Sequence, residues 1–316
     1  MEEKRRNEIV SSVRSAIARV MVGKQEVIDL TLICLLSKGH VLLEDVPGLG
    51  KTTLVNALAH ALGCTYRRIQ FTPDVTPSDV TGYSIINMNT GKTETRFGAV
   101  MGQIILADEI NRTSPKTQSA LLEAMQERQI TVDGETYPLP APFMVLATQN
   151  PAESTGIYPL PEAQLDRFLM KLSLGYPTQE EEVEILRRSI LPEGKRYAET
   201  VASAEDILAL QQDVLSVTCA ESVMEYIVSI VKMTREHKSV ALGVSPRGAE
   251  GLLRVSMAKA LLSGRSYVIP DDVQEMVKPV LCHRVIPSIQ AGLSDLTSEQ
   301  ILDDILDRVS VPTVKQ

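Results

Sequence analysis

The feature that most constrains this chain is a short apolar run that leads through a glycine loop into a helical pattern. The run from His40 to Leu43 predicts a buried strand, and the Pro47–Gly50 segment after it cannot lie inside a strand or a helix. After Lys51-Thr52-Thr53, apolar residues recur at helical spacing from Leu54 to Leu62. A strand, a glycine loop and a helix in this order are the context that a phosphate-binding loop requires.

The chemistry of such a loop assigns roles to its residues. Glycines allow backbone N–H groups to turn inward, and the helix N-terminus adds a partial positive charge. We expect Lys51 to reach the β and γ phosphates of a nucleotide and the Thr52 hydroxyl to hold Mg²⁺. The predicted nucleotide-binding residues of the loop are Val46, Pro47, Gly48, Leu49, Gly50, Lys51, Thr52 and Thr53.

One residue departs from the usual pattern of a phosphate loop. The strict pattern places its first glycine at position 45, where this chain has Asp45. Aspartate tolerates left-handed turns better than most residues, so the loop can still form, but its charge must point away from the phosphates. A glycine–lysine–threonine run can also occur in an ordinary strand-to-helix turn, so the assignment needs partners further along the chain.

The second informative stretch is an apolar strand that ends in two carboxylates, Ile104–Glu109. A metal–phosphate site requires acids on a strand near the phosphate loop. Asp108 is expected to hold the Mg²⁺ shell, and Glu109 to orient and polarise the attacking water. The alternative is that both acids only mark the solvent end of a strand.

Three further residues are candidates for contacts with the γ-phosphate. Asn150 follows the apolar strand Phe143–Thr148, and it could touch the phosphate or the water if that strand lies between the other two; it could also be a turn residue before proline. Arg167 could pair with the adjacent Asp166 or reach a neighbouring subunit's nucleotide as an arginine finger. Arg247, at a helix start, is expected to point back at the phosphates, unless it is simply an exposed arginine.

Two hairpins and a loop are predicted within the first part of the chain. The segments Tyr83–Phe97 and Arg128–Leu139 each contain two short runs around a turn, Asn89-Thr90-Gly91 and Asp133-Gly134 respectively. The Pro- and Asp-rich residues Thr72–Asp79 predict a loop.

The second part of the chain carries only helical patterns. Gly175-Tyr176-Pro177 closes the alternating strand and helix region, and Leu191–Lys195 predicts a linker. We therefore predict an α/β nucleotide-binding core with N-terminal helices over residues 1–190. Residues 191–316 are predicted to form the linker and a C-terminal all-helical lid.

Composition limits the classes of function. The net charge of −8 argues against general nucleic-acid binding. No apolar run reaches the length of a membrane span, and Met1–Asn7 lacks the apolar core of a signal peptide. The four cysteines have no metal-ligand spacing and are typical of small buried residues in a reducing cytosol, which predicts a cytoplasmic location.

These landmarks together resemble the AAA+ ATPases, and within them the MoxR family, over nearly the whole chain from about Val22. Such an ordered set is far more specific than any one motif. The residues that carry the resemblance are Asp45–Thr52, Gln70–Asp74, Leu106–Arg112, Ser114–Met125, Ala147–Asn150, Tyr158–Phe168 and Ser245–Arg247.

The resemblance implies roles for single residues and a fold. It assigns Lys51 and Thr52 to Walker A, Asp108 and Glu109 to Walker B, Asn150 to sensor 1, Arg247 to sensor 2 and Arg167 to the arginine finger. The two hairpins correspond to the helix-2 insert and the pre-sensor-1 insert. The implied fold is a P-loop three-layer sandwich around a parallel sheet with a C-terminal helical lid.

The resemblance also implies cofactors and partners. Such proteins bind ATP and Mg²⁺, assemble as homo-oligomeric rings that are usually hexamers, and act as chaperone-like remodellers. Their partners are often proteins with von Willebrand factor A domains.

Three functions stay open on the sequence. The first is an Mg²⁺-dependent ATPase whose ring remodels or matures a partner protein. The second is a DNA-dependent ring motor, although the hairpins carry as many acids as cations, a poor phosphate track: Lys92, Arg96 and Arg128 beside Glu94, Asp133 and Glu135. The third is a nucleotide-gated assembly scaffold with little turnover, which the presence of both Asp108 and Glu109 disfavours.

Overall fold

The computed structural model of the chain describes residues 3–89, 91–150, 157–190 and 197–312. Strands and helices alternate in its first half, and helices dominate its second half. The helices are α1 (Glu3–Ala18), α2 (Gln25–Leu36), α3 (Lys51–Ala61), α4 (Pro77–Thr81), α5 (Pro115–Glu127), α6 (Glu162–Leu165), α7 (Gln179–Ser189), α8 (Ala204–Leu215), α9 (Glu221–Glu236), α10 (Pro246–Leu262), α11 (Pro270–Leu281), α12 (Ile289–Leu293) and α13 (Ser298–Arg308). The strands are β1 (Val41–Glu44), β2 (Tyr66–Gln70), β3 (Gly82–Ile86), β4 (Thr93–Phe97), β5 (Ile104–Asp108), β6 (Gln129–Val132), β7 (Glu135–Pro138), β8 (Met144–Gln149), β9 (Met170–Leu172), β10 (Val240–Leu242) and β11 (Ile286–Pro287).

The centre of the fold is a five-stranded parallel sheet in the order β2-β5-β8-β1-β9. All carboxyl ends of these strands lie at one edge, here called the carboxyl edge, and all amino ends lie at the amino edge. β8 lies between β1 and β5, which is the condition that the sequence set for Asn150. The residues that follow β1, β5 and β8 therefore meet at the carboxyl edge.

Alternate residues of the central strands enter two different apolar cores. Val41 and Leu43 pack with helices α1, α2 and α3, whereas Leu42 packs on the opposite face with α5 and the β6–β7 hairpin. This alternation follows from the two-residue period of a strand. Because both faces are covered, the inner strands β1, β5 and β8 are buried up to their last residue, and the fold is the predicted three-layer α/β sandwich.

Both hairpins form as predicted, β3–β4 and β6–β7, although the turn residue Thr90 lies outside the described residues. The prediction of a loop over Thr72–Asp79 is wrong in its second half, where α4 begins at Pro77. A capping box stabilises this short helix, since Thr76 and Asp79 each bond the other's backbone N–H. Proline at the first helical position suits the helix as well as a loop.

The C-terminal part forms a helical lid whose helix α10 packs against α2 and α11. The prediction that this part is entirely helical is wrong in one detail, because β10 and β11 pair as a short antiparallel ladder. The predicted linker Leu191–Lys195 lies outside the described residues, so the division between residues 190 and 191 stays a prediction. In the described ranges, no helix is both long and apolar enough to cross a membrane.

Candidate nucleotide-binding site

The loop between β1 and α3 has the backbone of a phosphate cradle. Gly48 and Gly50 have φ values of +88° and +91°, in the left-handed region that other residues rarely adopt. A Cβ at Gly48 would meet no atom within 4 Å, so conformation rather than space requires glycine there. Helix α3 begins at Lys51, directly after the loop, so its first N–H groups face the place where a phosphate would bind.

Lys51 lies among three acidic residues at the carboxyl edge. Its Nζ donates a hydrogen bond to the Asp45 carbonyl oxygen at 2.6 Å. Partial burial lowers the pKa of the Lys51 ammonium from its usual value. The negative charges of Asp45, Asp108 and Glu109 oppose that shift. The phosphate-loop lysine and the two strand-end acids therefore share one site.

Asp108, at the end of β5, is held by two neighbouring strands. The Thr148 hydroxyl of β8 donates to Asp108 Oδ1 at 2.6 Å, and Arg68 of β2 donates to Oδ2 at 2.6 Å. The same threonine oxygen accepts the Glu109 N–H at 2.8 Å. Sequence reasoning gave no role to Thr148 or Arg68, since their contacts with Asp108 depend on which strands are neighbours.

Glu109 has an unusual backbone and a restrained side chain. Its φ of +58° places it in the left-handed region, a strain often found at functional sites. Its Oε2 accepts hydrogen bonds from Gln70 Nε2 at 3.0 Å and Arg112 Nη1 at 3.1 Å. Gln70 pairs in register with Asp108, so the neighbouring strand ends could have pointed to this contact.

The donor set at this edge fits Mg²⁺ with a nucleotide. Thr52 offers a hydroxyl and Asp108 a carboxylate, the hard oxygen ligands that Mg²⁺ prefers. Within the described ranges, no group of three or more His, Cys, Asp or Glu side chains gathers as a metal cage. A Mg²⁺ ion that binds with a nucleotide is usually held by one or two protein ligands, with water and phosphate oxygens completing its shell.

Asn150 follows β8 and is only 7% exposed. It therefore lies at the carboxyl edge, between the strand that enters the phosphate loop and the strand that carries the acids. This position agrees with the proposed contact to a phosphate or water, and that contact stays a prediction.

An apolar cavity of about 250 Å³ adjoins the phosphate loop. The turn Val20–Val22 forms one wall, Pro177 and Ile185 form another, and Gly48–Gly50 form the floor. The turn near Val22 therefore lies beside the phosphate loop.

Arg167 and Arg247 lie in a different place, a cavity at the amino edge. Gly39 and His40, which directly precede β1, line the same cavity. The phosphate loop follows the other end of β1, four residues away, or about 13 Å at roughly 3.3 Å a residue. The expectation that Arg247 points back at the phosphates of its own chain is therefore wrong, because α10 packs at the amino edge.

Arg167 does not form the local pair with Asp166. Its Nη1 donates to the Leu122 carbonyl at 3.0 Å. The Asp166 carboxylate instead accepts hydrogen bonds from Arg284 Nε at 2.7 Å and the Ser245 hydroxyl at 3.0 Å. Arg167 is thus left facing the cavity beside Arg247.

Arg284, to which the sequence assigned no role, is almost fully buried. Besides Asp166 it donates to the carbonyl oxygens of Phe168 at 2.6 Å and Leu169 at 3.2 Å. It therefore ties the lid to the segment that carries Arg167. A lone arginine after a histidine offered no signal for this contact.

Two family models match the chain. One, described as the ATPase family associated with various cellular activities (AAA), matches residues 40–170, which contain the phosphate loop, the β5 acids and Arg167. The other, described as an AAA lid domain, matches residues 232–305, which contain Arg247 and Arg284.

Whole-chain relatives agree with these matches. The chain is 54% identical to the uncharacterized protein YeaC of Bacillus subtilis, over 94% of this chain and 92% of that protein. It is 42% identical to chaperone MoxR1 of Mycobacterium tuberculosis, over 94% of this chain and 81% of that protein. A crystal structure of a candidate ATPase from Cytophaga hutchinsonii has a TM-score of 0.92 and 40% identity, covering 98% of this chain and 97% of that one.

Proposed function

Since the chain belongs to the MoxR family of AAA+ ATPases, we propose that it hydrolyses ATP with Mg²⁺ in a ring of identical subunits and remodels partner proteins with that energy. The ATPase activity and the chaperone-like class follow from the family. The metal, the ring and the remodelling are the parts proposed.

One observation carries the ring: the site is divided between two opposite edges of the sheet. Lys51, Asp108 and Glu109 lie at the carboxyl edge, and the cavity with Arg167 and Arg247 lies at the amino edge. In this arrangement the arginines of a subunit lie away from its own phosphate loop. In a head-to-tail ring, the amino-edge cavity of one subunit can face the carboxyl edge of the next.

The residues at the two edges have complementary tasks. Lys51 and the α3 N-terminus neutralise phosphate charge, and Glu109 accepts the proton of the attacking water. Mg²⁺, when bound through Thr52 and Asp108, screens the phosphate oxygens. Arginine cations from the neighbour stabilise the charge that develops in the transition state, which is worth about 10³-fold or more in rate.

A mixing experiment tests the ring. Arg167→Ala and Glu109→Gln, each nearly inactive alone, are mixed at constant total protein, and phosphate release is measured. If Arg167 acts on the next subunit's site, an Arg167→Ala subunit beside a Glu109→Gln subunit has one complete site, so an equal mixture should regain up to about a quarter of wild-type activity. Arg308→Ala, an exposed arginine on α13, serves as the control and should keep near wild-type activity.

Mixtures that stay as inactive as the two variants alone would count against an arginine acting between subunits. Sedimentation of the same mixtures identifies the assembly size; we propose a hexamer. A monomer with full turnover would overturn the divided site.

The two hairpins are the proposed contact with partner proteins. They pack together through an edge-to-face contact between Phe97 and Tyr137, with ring centroids 5.0 Å apart. Tyr83, Ile86 and Met88 remain well exposed on the β3 side, and exposed apolar side chains of this kind bind unfolded or partly folded segments. We propose that the clients are proteins. Proteins with a von Willebrand factor A domain are the class to test first.

One of the three cations that the DNA-motor alternative places on the hairpins does not lie there. Arg128 is directed to the Lys38 carbonyl at the amino edge rather than onto the hairpins. Lys92 and Arg96 remain, beside Glu94, and two cations make a weak track for phosphates. The scaffold alternative is disfavoured by Lys51 and the two acids of β5 sharing one site.

We also propose a cytoplasmic location. All four cysteines are free thiols, Cys34 among them fully buried. Free thiols are typical of proteins in a reducing compartment.

A further inference from the structure

The carboxylate of Asp45 is buried and binds one short segment of the chain. The residue is 6% exposed. Its oxygens accept hydrogen bonds from the Ser173 hydroxyl at 2.6 Å, the Leu174 N–H at 2.8 Å and the Gly175 N–H at 3.3 Å. These donors are consecutive residues that follow β9, far along the sequence from the phosphate loop.

The backbone of the loop does not explain Asp45. Its φ is not in the left-handed region, so neither glycine nor a tolerant substitute is required at this position. The hydrogen bond from Lys51 goes to its backbone carbonyl oxygen, whereas its carboxylate accepts the three bonds from residues 173–175. The Asp45 carboxylate, with its three hydrogen-bond donors, therefore binds the segment after β9 rather than the phosphates.

That segment leads directly to the wall of the apolar cavity. Gly175 turns the chain with a φ of +61°, and Pro177, two residues later, lines the cavity. Helix α7 follows and contributes Ile185 to the same wall. Nothing in the buried core holds α7, because none of its residues is buried.

A second contact joins the segment to the opposite wall. Lys24 Nζ donates to the Tyr176 carbonyl at 3.2 Å and lies 3.9 Å from the Glu181 carboxylate. Lys24 thus links the two walls to each other, while Asp45 links one wall to the phosphate loop below. The position of Pro177 relative to the loop depends on both contacts.

We propose that Asp45 is a positioning residue that sets the base-binding half of the site. It holds residues 173–175 against the phosphate loop, so that Pro177 and Ile185 pack on the nucleobase while the loop binds the phosphates. This inference rests on the proposed nucleotide site and deepens it. Asp45 itself touches neither the base nor a phosphate.

The test separates base binding from phosphate binding. Dissociation constants for ATP and for inorganic tripolyphosphate, each with Mg²⁺, are measured by calorimetry for wild type and Asp45→Asn. An amide cannot accept all three hydrogen bonds, so ATP affinity should fall about tenfold. Tripolyphosphate affinity should change less than twofold, because this ligand has no base.

Two further variants complete the design. Ser173→Ala removes one donor from the segment and should weaken ATP binding in the same selective way, by a smaller factor. It keeps the proposal testable if Asp45→Asn fails to fold. Asp307→Asn, an exposed acid on α13, makes the same chemical change elsewhere and should alter neither constant.

Equal weakening of both ligands would overturn the proposal, since Asp45 would then act on the phosphate loop. No change for either ligand would also overturn it. If wild type binds neither ATP nor tripolyphosphate, the proposed function itself fails, and that result differs from the first two.

Discussion

Glu109 is the residue on which turnover should depend most directly. It lies at the end of β5 with its Oε2 held by Gln70 and Arg112. A carboxylate in this place can accept a proton from water once those donors release it, whereas an amide cannot. In the proposed site, ATP binding relies on other groups, the loop N–H groups and Lys51.

We therefore expect Glu109→Gln to lower turnover by about 10²- to 10⁴-fold, the usual contribution of a general base. ATP affinity should stay close to wild type, and the two are measured by phosphate release and calorimetry. Asp108→Asn is the matched comparison, and it should reduce the Mg²⁺ dependence of binding. Turnover of Glu109→Gln within a few-fold of wild type would exclude Glu109 as the base.

At the scale of elements, His40 joins three parts of the sandwich. It precedes β1, and its Nδ1 accepts the Val145 N–H of β8 at 3.0 Å. Its Nε2 lies 3.1 Å from the Met125 carbonyl oxygen at the end of α5. This arrangement needs the neutral ring with its proton on Nε2, because a proton on Nδ1 would break the bond from Val145.

Burial, with the nearby Arg128 charge, lowers the pKa of His40 to about 3. The unfolded chain has a pKa of about 6.5 and so binds a proton that the folded chain does not. The stability contribution of neutral His40 is complete above about pH 6.5 and is lost as the pH falls towards 3, by up to about 1.4 kcal/mol per pH unit.

Urea unfolding at pH 7.5 and 5.5 tests the predicted loss of stability. Between these two pH values, the free energy of unfolding of wild type should fall by about 1.4 kcal/mol more than that of His40→Gln, since glutamine does not titrate. The buried His283 shifts in the same direction and is common to both proteins. Equal losses would mean that His40 is not neutral and buried in the folded chain.

For the whole molecule, Arg284 is the main polar link between the lid and the core. It bonds Asp166 and the carbonyl oxygens of Phe168 and Leu169, next to Arg167. This contact would couple a movement of the lid to the segment that carries the proposed arginine finger. Lid position and the neighbour's hydrolysis should be coupled through this contact.

Removing the Arg284 side chain should lower the free energy of unfolding. Arg284→Ala removes the cation that pairs with Asp166 and the donor to the Leu169 carbonyl oxygen, and we expect the free energy of unfolding to fall by about 3 kcal/mol. Arg308→Ala, an exposed arginine on α13, should change it by less than about 0.5 kcal/mol. Similar losses for both variants in urea unfolding would show that the buried link contributes little.

Much of the molecule was predictable because its signals are local. The strand before Asp45, the glycines at 48 and 50 and the acids after Leu106 each depend on the conformation of a few adjacent residues. The short helix α4 was missed because proline and aspartate serve a capped helix as well as a loop. Gln70 and Thr148 were missed because their roles depend on which strands are neighbours.

The sequence by itself determined the order of most elements and the phosphate loop, since backbone periodicity and glycine conformation act within a few residues, and the family followed from the resemblance of its ordered motifs. Only the tertiary structure decided that Arg247 lies at the amino edge, that Asp45 binds residues 173–175 and that Arg284 joins lid to core. These contacts join residues more than 75 positions apart. They depend on how helices pack on the sheet, and no local pattern records that packing.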